Sequence, residues 1–148
     1  MEADSLNSTI LYQTQDLTHP SYQLLKQEVK KEVLSKAGQK CTSIRRIFIP
    51  EQIFEDVGKD LKNMFSHFKV GDPYQKGIDC GPLVNRVQCQ SVHATIQSLS
   101  LECDVLAGSG ICTQYGENYY SPTLLSCSNA LEATSVHQLE AFGPAVTI

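Results

Sequence analysis

The sequence predicts an α/β layer architecture with a mainly parallel sheet, and three observations carry that expectation. Stretches of about 15 residues repeat apolar side chains with helical spacing, short β-rich runs alternate with them, and Gly- and Pro-containing breakers separate the two kinds of segment. With 148 residues the chain has the length of one domain, and it can bury a core without a disulfide or metal staple. A complete two-domain cofactor enzyme does not fit that length.

After a polar start, Glu2-Ala3-Asp4-Ser5-Leu6-Asn7-Ser8, the run Thr9-Ile10-Leu11-Tyr12 reads as a short strand. From Pro20 to Ala37 the pattern turns helical, because Leu25, Val29, Val33 and Ala37 recur every fourth residue and Glu32 stands four before Lys36. Gly38 suits the position just past a helix end, so 39–43 reads as a loop leaving that helix. Arg45-Arg46-Ile47-Phe48-Ile49 then reads as a strand ended by Pro50. The clearest helix follows, with Ile53, Phe54, Val57, Leu61, Met64, Phe65 and Phe68 on one continuous stripe, which is a core face rather than a cofactor box. Val70-Gly71-Asp72-Pro73 and Asp79-Cys80-Gly81-Pro82 frame a surface loop.

A third helix is expected after Asn85, carrying Cys89, Val92, Ile96, Leu99 and Cys103 inward, and it leads into a strand at Asp104-Val105-Leu106-Ala107. Gly108-Ser109-Gly110 and the tyrosines 115, 119 and 120 read as a hairpin-like region. Only half of a dinucleotide fingerprint is present there. Pro122-Thr123-Leu124-Leu125 is a further strand, a short helix is expected near Leu131, and Ala145-Val146-Thr147-Ile148 closes the sequence on an apolar run that reads as an exposed strand able to self-associate.

The net charge is −4, with 12 basic and 16 acidic residues spread along the chain. Binders of phosphate backbones gather Lys and Arg on one face, so nucleic acid is not an expected partner. No apolar run approaches a bilayer span, and the first residues lack the basic and apolar regions of a signal peptide; a soluble cytoplasmic chain with no membrane partner is expected. No Cys-x-x-Cys or zinc-type Cys/His spacing occurs, so no metal site is expected and the six cysteines are read as thiols.

Thiolate is the reactive form of cysteine, so neighbouring charge ranks the six. Cys41 follows Lys40 and precedes Arg45 and Arg46, which favour its ionised form; Cys80 adjoins Asp79, and Cys103 lies between Glu102 and Asp104, which oppose it. Cys89 sits on an apolar stripe, and Cys112 and Cys127 have neutral neighbours. Cys41 is therefore the candidate nucleophile. The histidines at 19, 67, 93 and 137 are scattered, stand in no recognisable nucleophile-partner context and read as surface or capping residues.

Several stretches together resemble the catalytic domain of the NAD(P)-dependent aldehyde dehydrogenase superfamily. Ala37-Gly38-Gln39-Lys40-Cys41-Thr42 resembles the nucleophile motif G-Q-x-C. Gly71-Asp72-Pro73 with Cys80-Gly81-Pro82-Leu83-Val84-Asn85 resembles the segment G-D-P…G-P-L, Ser121-Pro122-Thr123-Leu124 the P-T-L strand, and Glu140-Ala141-Phe142-Gly143-Pro144 the motif E-x-F-G-P. The likeness covers nearly the whole chain, in order. Most members carry their general base in E-L-G-G-K, whereas this chain has Glu2-Ala3-Asp4-Ser5-Leu6-Asn7, 39 residues before Cys41. That departure is similar to the aldehyde dehydrogenase domains of the bifunctional phenylacetate-degradation branch, where the region reads E-A-D-S-L-N.

The resemblance implies a three-layer α/β fold, with residues 1–148 as a partial catalytic domain whose cofactor-binding domain and C-terminal remainder are absent. Carried over residue by residue, it implies Cys41 as nucleophile, Glu2 as the base that activates water, Glu140 on the nicotinamide ribose, Phe142 near the ring and the Cys41 backbone N–H as one oxyanion donor. It also implies an aldehyde substrate, for this branch a CoA-linked semialdehyde, NAD or NADP as cofactor and a homo-oligomer in the full-length protein. A chain lacking the rest of the cofactor site is expected to be inactive alone. A second reading keeps the fold as a non-catalytic binding or interaction module.

Overall fold

The computed structural model of the chain describes residues 5–12 and 16–148. Five strands form one sheet: β1 (Ser8–Ile10), β2 (Arg46–Phe48), β3 (Asp104–Ala107), β4 (Thr123–Ser126) and β5 (Ala145–Thr147). Their spatial order is β1-β2-β5-β4-β3, with β1, β2, β5 and β4 parallel and β3 antiparallel at one edge. The mainly parallel sheet expected from the sequence is present. The last strand is not the exposed edge that its position in the sequence suggested: β5 is central, buried throughout, and held between Arg46 of β2 and Thr123–Leu125 of β4.

Three helices cover the sheet: α1 (Pro20–Leu34), α2 (Phe54–Ser66) and α3 (Arg86–Leu99). Side chains alternate faces along a strand, so neighbouring residues enter different cores. Leu124 and Val146 join Leu25, Val29, Val57 and Leu61 under α1 and α2, whereas Ala145 joins Cys89, Val92 and Ile96 of α3. The result is a layer of helices on each side of the sheet.

The helix starts follow from local chemistry. Pro20 pre-sets the first turn of α1, and His19 caps it, its Nδ1 accepting from Ser21 N at 3.2 Å. Asn85 caps α3, its Oδ1 accepting from Gln88 N at 2.8 Å. The α2 stripe buries Ile53, Val57, Leu61 and Phe65 as the spacing predicts. On α1, Tyr22 is buried beside the expected Leu25, Val29 and Val33, and its hydroxyl donates to Asp60 Oδ2 of α2 at 2.6 Å. Lys26 Nζ donates to Asp60 Oδ1 at 2.8 Å, which clamps the two helices together.

Four local expectations change. α1 ends at Leu34 rather than Ala37, because Lys36, Ala37 and Gly38 adopt φ of 53°, 51° and 70°, which no right-handed helix accommodates. Glu32 consequently pairs with Lys40 at 2.7 Å instead of with Lys36. Cys103 lies past the end of α3, directly before β3, and Cys80 is buried although its loop runs over the surface. The short helix expected near Leu131 is a turn with Leu131 fully exposed, followed by one 3₁₀ turn at Ser135–His137. The hairpin-like region is present: Cys112 N donates to Tyr119 O at 2.8 Å, and Ile111 bridges to Tyr120.

Candidate active site

Cys41 stands on a tight turn between α1 and β2. The left-handed run at 36–38 reverses the chain, Lys40 N donates to Gly38 O at 2.9 Å, and Ser43 N donates to Lys40 O at 3.1 Å. Ser43, itself buried, donates through Oγ to Gly38 O at 3.1 Å. Gly38 has no alternative: a Cβ there would lie 2.1 Å from Gly143 O. The backbone before Cys41 therefore touches the backbone of the Glu140–Pro144 segment. Gln39 reaches the other way, its Oε1 accepting from Val84 N at 2.9 Å.

Arg45 gathers these pieces. Nε donates to Glu140 Oε1 at 2.9 Å, Nη1 to Gly143 O at 2.8 Å, and Nη2 to Gly38 O at 2.8 Å and Lys40 O at 3.4 Å. Ser5 N donates to the second Glu140 oxygen at 2.8 Å, and the Asn7 side-chain amide donates to Cys41 O and, at 3.2 Å, to Ser43 O. Three segments far apart in sequence thus meet: 5–7, 38–45 and 140–144. Glu2 lies outside the described residues.

The electrostatics differ from what sequence neighbours suggested. Lys40 is paired with Glu32 and Arg45 with Glu140, so two of the cations near Cys41 in sequence each have a carboxylate partner. Arg46 donates to Leu6 O and contacts His137 Nδ1 at 3.1 Å. Burial pulls the Arg45 pKa down, against the opposing pull of Glu140. What separates Cys41 is exposure, since the other five cysteines are buried. Burial pushes the Cys80 and Cys103 thiols up to about 12, and raises Cys89 and Cys112 as well.

Arg45 links Glu140 and Phe142 to the turn that bears Cys41, and its guanidinium carbon lies 5.6 Å from the Phe142 ring centre. Phe142 is 38% exposed, and Gln88 Nε2 donates to its carbonyl at 2.8 Å. A carboxylate has about four acceptor positions, and the contacts from Arg45 and Ser5 fill two. The Glu140 side chain is 5% exposed, whereas the Phe142 ring is partly open to solvent. Sequence reasoning read Arg45 only as a cation near the thiol. The signal it missed was periodicity: Arg45 alternates with Ile47 on one side of a strand whose inward positions are buried.

A cleft of about 780 Å³ lies elsewhere, between β2, the start of α2 and the 127–131 turn, with Arg46, Phe54, Asn129 and His137 among its walls. Cys41, Glu140 and Phe142 do not line it. Among the described residues no cluster of three or more His, Cys, Asp or Glu could hold a metal, and no helix is long and apolar enough to cross a membrane.

The chain is similar to 3,4-dehydroadipyl-CoA semialdehyde dehydrogenase of Aromatoleum evansii, with 34% identity over all of this chain and 30% of that protein. It is 32% identical to the alpha-aminoadipic semialdehyde dehydrogenase of Rattus norvegicus over 73% of this chain and 20% of that one. Among solved structures, an NADP-dependent glyceraldehyde-3-phosphate dehydrogenase of Bacillus halodurans complexed with NADP superposes with a TM-score of 0.78 at 25% identity, covering 99% of this chain and 29% of that one. The succinic semialdehyde dehydrogenase of Streptococcus pyogenes gives 0.80 at 21% identity, over 97% of this chain and 30% of that one, a likeness of fold. The chain spans about 30% of the length of the first of these relatives. The sequence profile of the aldehyde dehydrogenase family matches residues 1–148, and the chain belongs to that family.

Proposed function

We propose that this chain carries the nucleophile and part of the nicotinamide site of an aldehyde dehydrogenase acting on a semialdehyde, in the branch that oxidises CoA-linked semialdehydes from aromatic breakdown. The observation that carries the reading is the meeting of 5–7, 38–45 and 140–144 at the turn that bears one exposed thiol. The relative from Aromatoleum evansii, whose name specifies a CoA-linked semialdehyde, supports the substrate class.

In the proposed reaction the Cys41 thiolate adds through Sγ to the aldehyde carbonyl carbon. The Cys41 backbone N–H donates to the oxygen as it gains charge, a role that fixed amides fill without reorganisation. NAD or NADP, when bound, would supply the acceptor for the hydride of that adduct. Glu140 would hold the ribose and Phe142 would pack against the ring, which fixes the pose while the cofactor supplies the redox chemistry. Glu2 then takes a proton from the water that cleaves the Cys41 thioester, releasing the acid and restoring the thiol. Residues 1–148 form part of a catalytic domain, and the complete protein is a cytoplasmic homo-oligomer. The 148-residue chain alone turns over no aldehyde. Steady, aldehyde-dependent NADH or NADPH formation by this chain, above a Cys41→Ala control, contradicts that statement.

A further inference from the structure

We propose that Arg45 is a positioning residue, which fastens the turn bearing Cys41 to the loop bearing Glu140 and Phe142 so that nucleophile and cofactor ligands are held as one unit. The proposal rests on the reading of Cys41 and Glu140 given above.

The geometry is that of a fork used from both sides. Nη2 faces the Cys41 turn, with Gly38 O and Lys40 O as acceptors. Nε and Nη1 face the other loop, with Glu140 Oε1 and Gly143 O as acceptors. The side chain is 4% exposed, so water cannot substitute for these partners. Each of these carbonyls also accepts from a donor within its own loop, Gly38 O from Lys40 N and Gly143 O from Ala145 N, so the bonds that loss of the guanidinium removes are those that join the two loops. A lysine keeps the charge but carries its donors on a single nitrogen, which cannot reach both loops at these directions.

A buried ion pair is weak support for stability, because desolvation offsets its attraction. An apolar residue would fill the same space without that cost. What only the guanidinium supplies is a fixed distance between two loops joined across a span of 95 residues. Gly38 and Gly143 are in backbone contact at the same place, so small slippage of either loop breaks the packing. The second Glu140 oxygen accepts from Ser5 N, which ties residues 5–7 into the same unit.

The test compares wild type, Arg45→Lys and the uncharged double variant R45M/E140Q, with Val57→Ala in the core under α2 as a destabilised control. Two readouts are taken: hydrogen exchange of the bonded amides of Lys40, Ser43, Gly143 and Ala145, and the ¹⁹F resonance of a trifluoromethyl tag on Cys41. In Arg45→Lys both sets of amides should exchange at least ~10-fold faster while α2 keeps its protection, as a local opening requires. The tag resonance should shift in Arg45→Lys and in the double variant, and stay in place in Val57→Ala. The proposal is overturned if Arg45→Lys keeps wild-type exchange in either loop, which would make charge alone sufficient. Equal acceleration in α2, or a tag that responds alike to Val57→Ala, overturns it too. Failure of the nucleophile reading shows separately, as a wild-type chain that does not acylate at Cys41.

Discussion

Arg45 Nε lies 2.9 Å from Glu140 Oε1, with 4% and 5% of the two side chains exposed. This pair decides how the neighbourhood of Cys41 should be understood. The guanidinium has its charge matched at contact distance and its remaining donors spent on Gly38 O, Lys40 O and Gly143 O. Lys40 is matched in the same way by Glu32. Lys40 and Arg45 are therefore engaged in building the turn that bears Cys41.

The contact between Gly38 and Gly143 yields a stability contrast. Alanine at Gly38 would place Cβ 2.1 Å from Gly143 O and 2.9 Å from Pro144 N, and both are backbone atoms that no side-chain rotation can move. Gly38→Ala should cost at least ~3 kcal/mol or prevent folding. Gly77 also has positive φ, at 89°, but nothing lies within 4 Å of its would-be Cβ. Gly77→Ala should cost only about 1–2 kcal/mol, the strain of a left-handed residue. Urea unfolding of the two variants checks the pair, and equal losses would contradict it.

The Tyr22–Asp60–Lys26 clamp predicts a pH dependence. Its hydrogen bonds from Lys26 and Tyr22 outweigh desolvation and hold the Asp60 carboxyl below its ordinary pKa. A folded pKa below the unfolded one means that the contribution is full above the unfolded value and is lost as pH falls through the folded one. Asp60→Asn should therefore cost about 1–2 kcal/mol at neutral pH. The gap to wild type should close below about pH 4. Urea midpoints from pH 7 to 3 measure it, and a gap that stays constant over that range would argue against the clamp.

Thiol reactivity should follow exposure and burial. Cys41 is exposed, whereas Cys80 and Cys103 are buried with thiols pushed up to about 12. At pH 7.5 iodoacetamide should modify Cys41 at least ~100-fold faster than either, because only the thiolate attacks. Peptide mapping of the folded chain gives the order. First labelling at Cys89, Cys103 or any other buried site would show that exposure does not govern it.

Much of the fold was legible because periodicity reports burial. The α2 stripe from Ile53 to Phe65, the Asn85 cap and the β3 strand lie where spacing and turn residues put them. The end of α1 was not, since Ala37 continues the apolar spacing while lying at a φ of 51°, next to Gly38, whose backbone approaches Gly143. The place of β5 was not legible either: strand order is a tertiary property, and an apolar run at a sequence end reads the same whether it is central or at an edge. At the site, Cys41, Glu140 and Phe142 were visible as motifs. Arg45 was visible only as a charge, because its four acceptors come from residues that sequence leaves unconnected.

The central claim is that Cys41 is the nucleophile, and acyl transfer tests it without any cofactor. With 4-nitrophenyl acetate, a bond forms from Cys41 Sγ to the acetyl carbon as 4-nitrophenolate leaves, so release should show a burst approaching one equivalent per chain. The acetyl group should map to Cys41, and Cys41→Ala should remove both burst and adduct. A burst that persists in Cys41→Ala, or an adduct on another residue, would contradict the account.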